Sequence, residues 1–340
     1  MTKAEVRSRA RGVWRWAELL PVRQEGNRLT LGEADTPLLP VVRLADKIGL
    51  KHAMIKDESG NPTGSFKARG LAVAVSRAVE LGVGTFSIPT AGNAGAALAA
   101  YAARSRRPAF VYMPRDTPTV IQQEVGRMGA QLILVDGLIN DAGKLAAEDA
   151  RKHGRFDFST FKEPYRLEGK KTMGFELVEQ FEGALPDVIL YPTGGGTGLV
   201  GMWKAFDEME RLGWIGADRP RMVSVQAAGC APVVRAFQEG ADQTMPWENA
   251  ETIASGLRVP APFAGRLMLR VLRESHGTAL AVSETEIEQG LRELATAEGL
   301  LACPEGAAAW AAVKRLSADG WIQPDERVVV FNTGSGLKYL

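Results

Sequence analysis

Val188-Ile-Leu-Tyr-Pro-Thr-Gly-Gly-Gly-Thr-Gly-Leu-Val-Gly-Met-Trp203 decides the fold. An apolar run ends at Tyr191 and a glycine-rich turn follows. Beyond it Leu199, Met202, Trp203, Phe206, Met209 and Leu212 recur at helical spacing. A buried strand that turns through glycines into an amphipathic helix is the repeating unit of an α/β protein with a mostly parallel, doubly wound sheet. The alternation continues outward in both directions. Strands are predicted at Ala53–Asp57, Phe86–Ile88, Ala109–Met113, Gln131–Val135, Met222–Gln226 and Arg327–Asn332, besides Val188–Tyr191. Helices are predicted near 66–81, 93–104, 118–128, 141–153, 170–181, 286–298 and 306–318, besides 199–212. In such a fold ligands bind beyond the carboxyl ends of the strands, so the strand-to-helix turns carry the functional reading.

Composition narrows the function. With 340 residues the chain has room for about two domains. Lys+Arg number 41 against 40 Asp+Glu, which removes the electrostatic case for nucleic acid or an acidic membrane as partner. The 2 Cys and 3 His predict neither a disulfide framework nor a zinc site. The basic start, MTKAEVRSRARGVWRW, predicts a surface arm or helix and lacks the apolar core of a signal peptide. The uncharged run Thr85–Ala103 contains Pro89, Gly92, Asn93 and Gly95, which disqualifies it as a membrane span. A cytoplasmic location is expected. Glycine is the outlier at 37 residues, and 11 of these fall in 60–67, 90–95, 194–201 and 332–338.

Each of those four stretches is a turn with chemistry in it. The N–H groups of the glycines at 194–198, ahead of a helix, make an anion cradle. Gly196-Thr-Gly-Leu-Val-Gly201 also fits the dinucleotide pattern, but the next strand ends at Gln226 with no carboxylate for a ribose. An isolated phosphate is the better ligand, and glycines selected for packing are the competing explanation. In Lys56-Asp-Glu-Ser-Gly-Asn-Pro-Thr-Gly-Ser-Phe-Lys67, Thr63 or Ser65 can cap a helix whose first turn holds Lys67. A helix start disfavours a cation, so this position is expected to lower the lysine pKa and suits Schiff-base chemistry. In Pro89-Thr-Ala-Gly-Asn-Ala-Gly95, Asn93 is either a ligand donor or a helix cap. In Phe331-Asn-Thr-Gly-Ser-Gly-Leu-Lys338, Thr333 or Ser335 can present a hydroxyl to a polar atom.

Together, NPTGSFKARG, PYRLEGKKT, PTGGGTGLVGMWK and NTGSGLKY resemble the threonine synthase branch of the fold-type II pyridoxal 5′-phosphate enzymes, over nearly the whole chain. The resemblance implies a large domain of twisted, mostly parallel sheet (1–69 and 166–340), a smaller mobile domain (70–165) and a homodimer. It implies that Lys67 forms the Schiff base and takes the substrate α-proton. Asn93 would hold the cofactor 3′-oxygen, Gly194, Gly195, Gly196, Thr197 and Gly198 its phosphate, and Thr333 would face the pyridine nitrogen. A hydroxyl there makes the ring a weaker electron sink than a carboxylate would, which suits elimination and replacement chemistry.

Thr90, Ala91, Gly92, Arg166 and Lys170 would bind the amino-acid substrate, with Arg166 gripping the phosphate of O-phospho-L-homoserine. The competing reading of Arg166 is a surface basic cluster with Lys170 and Lys171. The chain departs from the branch at Ala91 and Ala94, where hydroxyl residues are common, and at Gly198 and Thr160, where some members carry Asn. Two other functions share the same cofactor turns or part of them: a serine/threonine dehydratase (a β-eliminating ammonia-lyase) and a phosphate-ligand-binding protein without catalysis. Cys230 and Cys303 are expected to be packed thiols, and Glu305 either lies near the site or serves its own helix start.

Overall fold

The computed structural model describes residues 2–340. Its strands are β1 (Leu38–Pro40), β2 (His52–Asp57), β3 (Phe86–Pro89), β4 (Ala109–Pro114), β5 (Gln131–Val135), β6 (Phe156–Asp157), β7 (Val188–Pro192), β8 (Arg221–Ala227), β9 (Thr278–Val282) and β10 (Arg327–Asn332). All seven predicted strands are present, each within one residue of the expected ends. The unpredicted ones are β1, β6 and β9. Every predicted helix forms too, and Arg43–Lys47, Pro232–Gln238 and Gly265–Glu274 are additional. The basic start forms a short helix, Lys3–Arg7, closed by a capping box between Thr2 and Glu5.

The strands form two sheets. Six strands in the order β1-β2-β10-β7-β8-β9 make one, parallel apart from β1, which pairs antiparallel with β2 at the edge. Four parallel strands in the order β5-β4-β3-β6 make the other. This is a mixed α/β fold with parallel sheets, as the alternation predicts.

Each sheet belongs to its own compact unit. The four-stranded unit takes the chain up to Asp35 together with Asn61–Thr172, and the six-stranded unit takes Thr36–Gly60 with Met173–Leu340. These boundaries differ from the expected division at 69/70 and 165/166. The reason is packing. Val13, Leu20, Ala68, Leu71, Ala72 and Val75 share one buried core with Phe86, Ile88, Leu98 and Val111. The N-terminal segment and the whole helix Lys67–Glu80 are therefore needed to cover the four-stranded sheet, since a parallel sheet must bury both faces.

In the same unit the helix Lys67–Glu80 crosses the first turns of the helix Tyr165–Gln180 at very short range. A Cβ on Gly169 would lie 2.2 Å from the Arg69 carbonyl oxygen, and one on Gly70 would lie 2.8 Å from that of Arg166. In the six-stranded unit small residues do the same work on a sheet. Ala307, Ala308, Ala311 and Ala312 of the helix Pro304–Ala318 bring it onto a core that includes Val188, Leu190, Val328 and Val330. Among the described residues no helix is long and apolar enough to cross a membrane.

Candidate active site

In the four-stranded unit, the chain turns through Pro62–Gly64, with Thr63 in the left-handed region at φ 59°, and then enters the helix at Lys67. Of the two expected caps, Ser65 is the one that reaches the helix start: its Oγ accepts from the Lys67 N–H at 3.4 Å. Lys67 is the first helical residue and is half-buried, with Nζ 4.4 Å from the centre of the Phe66 ring.

Lys170 meets the same ring, with Nζ at 4.1 Å, and donates to the Phe66 carbonyl oxygen. It is wholly buried, as is Lys171, which donates to the Leu19 carbonyl oxygen and pairs with Glu168. The structure therefore places Lys170 against the residue that precedes Lys67, and the two lysines do not belong to a surface cluster.

At the end of β3, Thr90 is buried and its hydroxyl closes the turn, accepting from the Gly92 N–H at 3.1 Å. Asn93 follows as the first residue of the helix Asn93–Arg104 and is half-buried. The cap position belongs to Gly92, so Asn93 is not a cap. Ala91 is half-buried in the same turn. Gly95 cannot be larger, because a Cβ would lie 2.7 Å from the Thr90 methyl carbon and 2.8 Å from Val111.

Arg166 is 2% exposed. Its Nη1 donates to the Phe158 carbonyl oxygen at 2.6 Å and reaches Thr160 Oγ1 at 3.4 Å, while Nε has no hydrogen-bond partner. Burial lowers the guanidinium pKa, opposed by the charges of Glu163 and Asp157. Glu163 accepts from the backbone N–H groups of Tyr165 and Arg166 and so starts the helix, and burial raises its own carboxyl pKa. A buried cation without a direct carboxylate partner carries a desolvation penalty that a bound anion would remove.

In the six-stranded unit β7 and β10 are parallel neighbours, with Leu190 opposite Val330, so the glycine turn and Thr333 leave the same sheet edge side by side. The glycines are dictated by packing behind the turn. A Cβ would lie 2.1 Å from the Gly256 carbonyl oxygen at Gly194, 2.2 Å from Met268 Sδ at Gly196 and 1.9 Å from Tyr191 Oη at Gly198. Gly196 also has φ +81°, a conformation that favours glycine. Among the described residues the N–H groups of Gly194, Gly195 and Gly196 have no backbone acceptor, and the helix Thr197–Arg211 begins directly after them. Thr333 is 6% exposed, with Oγ1 3.7 Å from Cys303 Sγ. Ser335 is occupied as a cap, accepting from the Leu337 N–H, which singles out Thr333 of the two hydroxyls.

A sequence model of the pyridoxal-phosphate dependent enzymes matches residues 29–334. The chain belongs to the pyridoxal-phosphate dependent enzyme family. Within that family it is 37% identical, over 99% of its length and 83% of the relative's, to the threonine synthase of Methanocaldococcus jannaschii. To the threonine synthase of Methanosarcina acetivorans it is 38% identical, over 96% of its length and 80% of the relative's. Among solved structures, the processed form of threonine deaminase isoform 2 from Solanum lycopersicum matches with a TM-score of 0.77 at 22% identity. That match covers 89% of this chain and 79% of the other. The enzyme therefore has the fold-type II architecture.

Pyridoxal 5′-phosphate brings an aldehyde that needs an amine, a phosphate that needs N–H donors and a ring nitrogen that needs a polar partner. The donor set of this family member fits it: Lys67 at a helix start, acceptor-free N–H groups at Gly194–Gly196, and the buried hydroxyl of Thr333. Sequence reasoning passed over Gln226, which is wholly buried behind the turn. Its Nε2 donates to the Thr193 carbonyl oxygen, and its Oε1 accepts from the Val233 and Val234 N–H groups. Its only signal in the sequence was a polar residue ending an apolar strand.

Proposed function

We propose that the protein is a threonine synthase, converting O-phospho-L-homoserine and water to L-threonine and phosphate. The observation that carries this reading is Arg166, a buried guanidinium with an uncommitted Nε and no direct carboxylate partner. A substrate phosphate supplies the missing anion, and the planar fork of arginine suits it. The two threonine synthases compared above support the choice of substrate.

In this reading Lys67 carries the cofactor, Asn93 holds its 3′-oxygen, Gly194–Gly198 receive its phosphate and Thr333 faces its ring nitrogen. Bound there, pyridoxal phosphate supplies the electron sink for chemistry at the substrate α-carbon. Lys67 Nζ takes the proton from that carbon and returns protons as the phosphate leaves and water adds. Thr90, Ala91 and Gly92 offer the substrate carboxylate a turn at the start of a helix. Arg166 binds the phosphate before and during its departure. Lys170 acts on the Lys67 side of the reaction by fixing Phe66. The enzyme works in the cytoplasm as a homodimer, so light scattering should give twice the 36.6 kDa chain mass.

The deciding test offers O-phosphohomoserine, L-serine and L-threonine separately. Threonine and inorganic phosphate from the first substrate are expected. Ammonia and a 2-oxo acid from serine or threonine, without phosphohomoserine turnover, would make the protein a dehydratase instead.

A further inference from the structure

The proposed reaction leaves Cys303 and Glu305 without a task, yet both sit at the start of the helix Pro304–Ala318, and each reaches one of the cofactor turns. Cys303 is the helix cap, its Sγ accepting from the Gly306 N–H at 3.4 Å. The Cys303 N–H donates to Asn332 Oδ1 at 3.1 Å, and Sγ lies 3.4 Å from the same oxygen and 3.7 Å from Thr333 Oγ1. Asn332 is fixed from its other end, where Nδ2 donates to Asp57 Oδ1 at 2.8 Å. Burial, with the charge of Glu305 second, pushes the Cys303 thiol far up, so it stays protonated.

Glu305 is 5% exposed. Its Oε1 accepts from the Gly256 N–H at 2.7 Å and from the Tyr339 hydroxyl at 3.2 Å. Gly256 faces the glycine turn with its carbonyl oxygen, at the position that would lie 2.1 Å from a Cβ on Gly194. Glu305 thus holds the residue that backs Gly194, while Cys303, two residues earlier, holds the residue pair that ends in Thr333. A carboxylate near a phosphate seat is unfavourable by charge. Its oxygen here is spent on an N–H and an O–H, and the helix start offsets its charge.

We propose that Glu305 is a positioning residue for the cofactor: through Gly256 it sets the glycine turn, and through the shared helix start it keeps that turn in register with Thr333. The proposal rests on reading Gly194–Gly198 as the phosphate seat. The test is titration of the apoenzyme with pyridoxal phosphate, followed by fluorescence.

Gly194→Ala should weaken binding more than tenfold, and normal binding there would remove the seat and the proposal with it. If Gly194→Ala binds poorly but Glu305→Ala binds like the wild type, the seat stands and the role of Glu305 is refuted. The expected result is at least tenfold weaker binding for Glu305→Ala. Glu305→Gln, which keeps the acceptor oxygen and drops the charge, should rescue it to within about threefold of the wild type. Equal weakening by Gln and Ala would overturn the proposal, since charge would then matter and geometry would not. Should Glu305→Ala fail to fold, Gly256→Ala replaces it: its methyl would lie 2.7 Å from Glu305 Oε1. It must weaken cofactor binding likewise, and wild-type affinity in that variant would also refute the idea.

Discussion

The two units use the same physical device, a helix start, in opposite ways. In the four-stranded unit the helix opens on Lys67, so what its start presents is a long side chain ending in an amine. In the six-stranded unit the helix Thr197–Arg211 opens behind glycines, and the N–H groups themselves are what is offered. The contrast extends to the surroundings. Lys67 shares the Phe66 ring with the buried Lys170, and the buried Arg166 and Lys171 belong to the helix that crosses its own. Gly194 and Thr333 are backed by neutral or acidic groups: Gln226, Asn332, Cys303 and Glu305. One half presents basic side chains, and the other presents backbone N–H groups with neutral or acidic support behind them.

That division can be broken, most sharply at Lys67. Lys67→Ala should lower turnover by at least ~10³-fold and abolish the visible absorption band of the bound cofactor. A band that survives would move the cofactor amine elsewhere. Arg166→Ala should lower kcat/KM for O-phosphohomoserine by roughly 10²-fold while leaving that band unchanged. Parallel loss of band and turnover would make Arg166 structural.

A smaller effect is expected from the crossing that keeps the buried cations in place. Gly169→Ala, which sets a methyl against the Arg69 carbonyl oxygen, should destabilise the protein by about 2–3 kcal/mol in urea unfolding. No change would mean that the two helices separate freely. Smallest is an exposed pair. Arg9 forks onto both oxygens of Glu18 at 2.6 Å, and this holds the Glu18 carboxyl at about 2, below its ordinary 4.5. Because the folded pKa is lowered, the contribution is present above pH 4.5 and fades as pH falls toward 2. Glu18→Gln should cost only about 0.5 kcal/mol at pH 7, since solvent screens the pair. A wild-type advantage that does not shrink in acid would put the effect elsewhere.

Most of the fold was legible because the parallel strands are continuous apolar runs and their helices keep a clean period. The exceptions have physical causes. β6 is two residues long, and β1 is a three-residue antiparallel edge, too short for either to show a pattern. In β9, Thr278-Ala-Leu-Ala-Val282, alanine stands where strands usually carry branched residues.

The helix expected from 170 begins at Tyr165. Lys170 and Lys171 look like solvent-facing residues in a sequence, and here they are buried on carbonyl oxygens that lie far away along the chain. The turn 194–198 was visible through its glycines, although these are required by Gly256, Met268 and Tyr191 behind them. What could not be read was the support: Gln226 and Glu305 act through partners supplied by other elements. The compact units were hidden for the same reason, since the early segment holding Val13 and Leu20 declares its unit only through the core it joins.

Tyr191 and Gly198 hold a last consequence, one for the history of the chain. The tyrosine ring lies over Phe331, with centroids 5.2 Å apart, and its hydroxyl fills the volume a side chain at 198 would need. Position 198 cannot drift while the tyrosine stays. A lineage that acquires asparagine at 198 must first or simultaneously surrender the tyrosine at 191, and one that keeps the tyrosine is confined to glycine. The two sites should therefore be exchanged as a pair across descendants of this enzyme, and a double replacement should succeed where Gly198→Asn alone fails to fold.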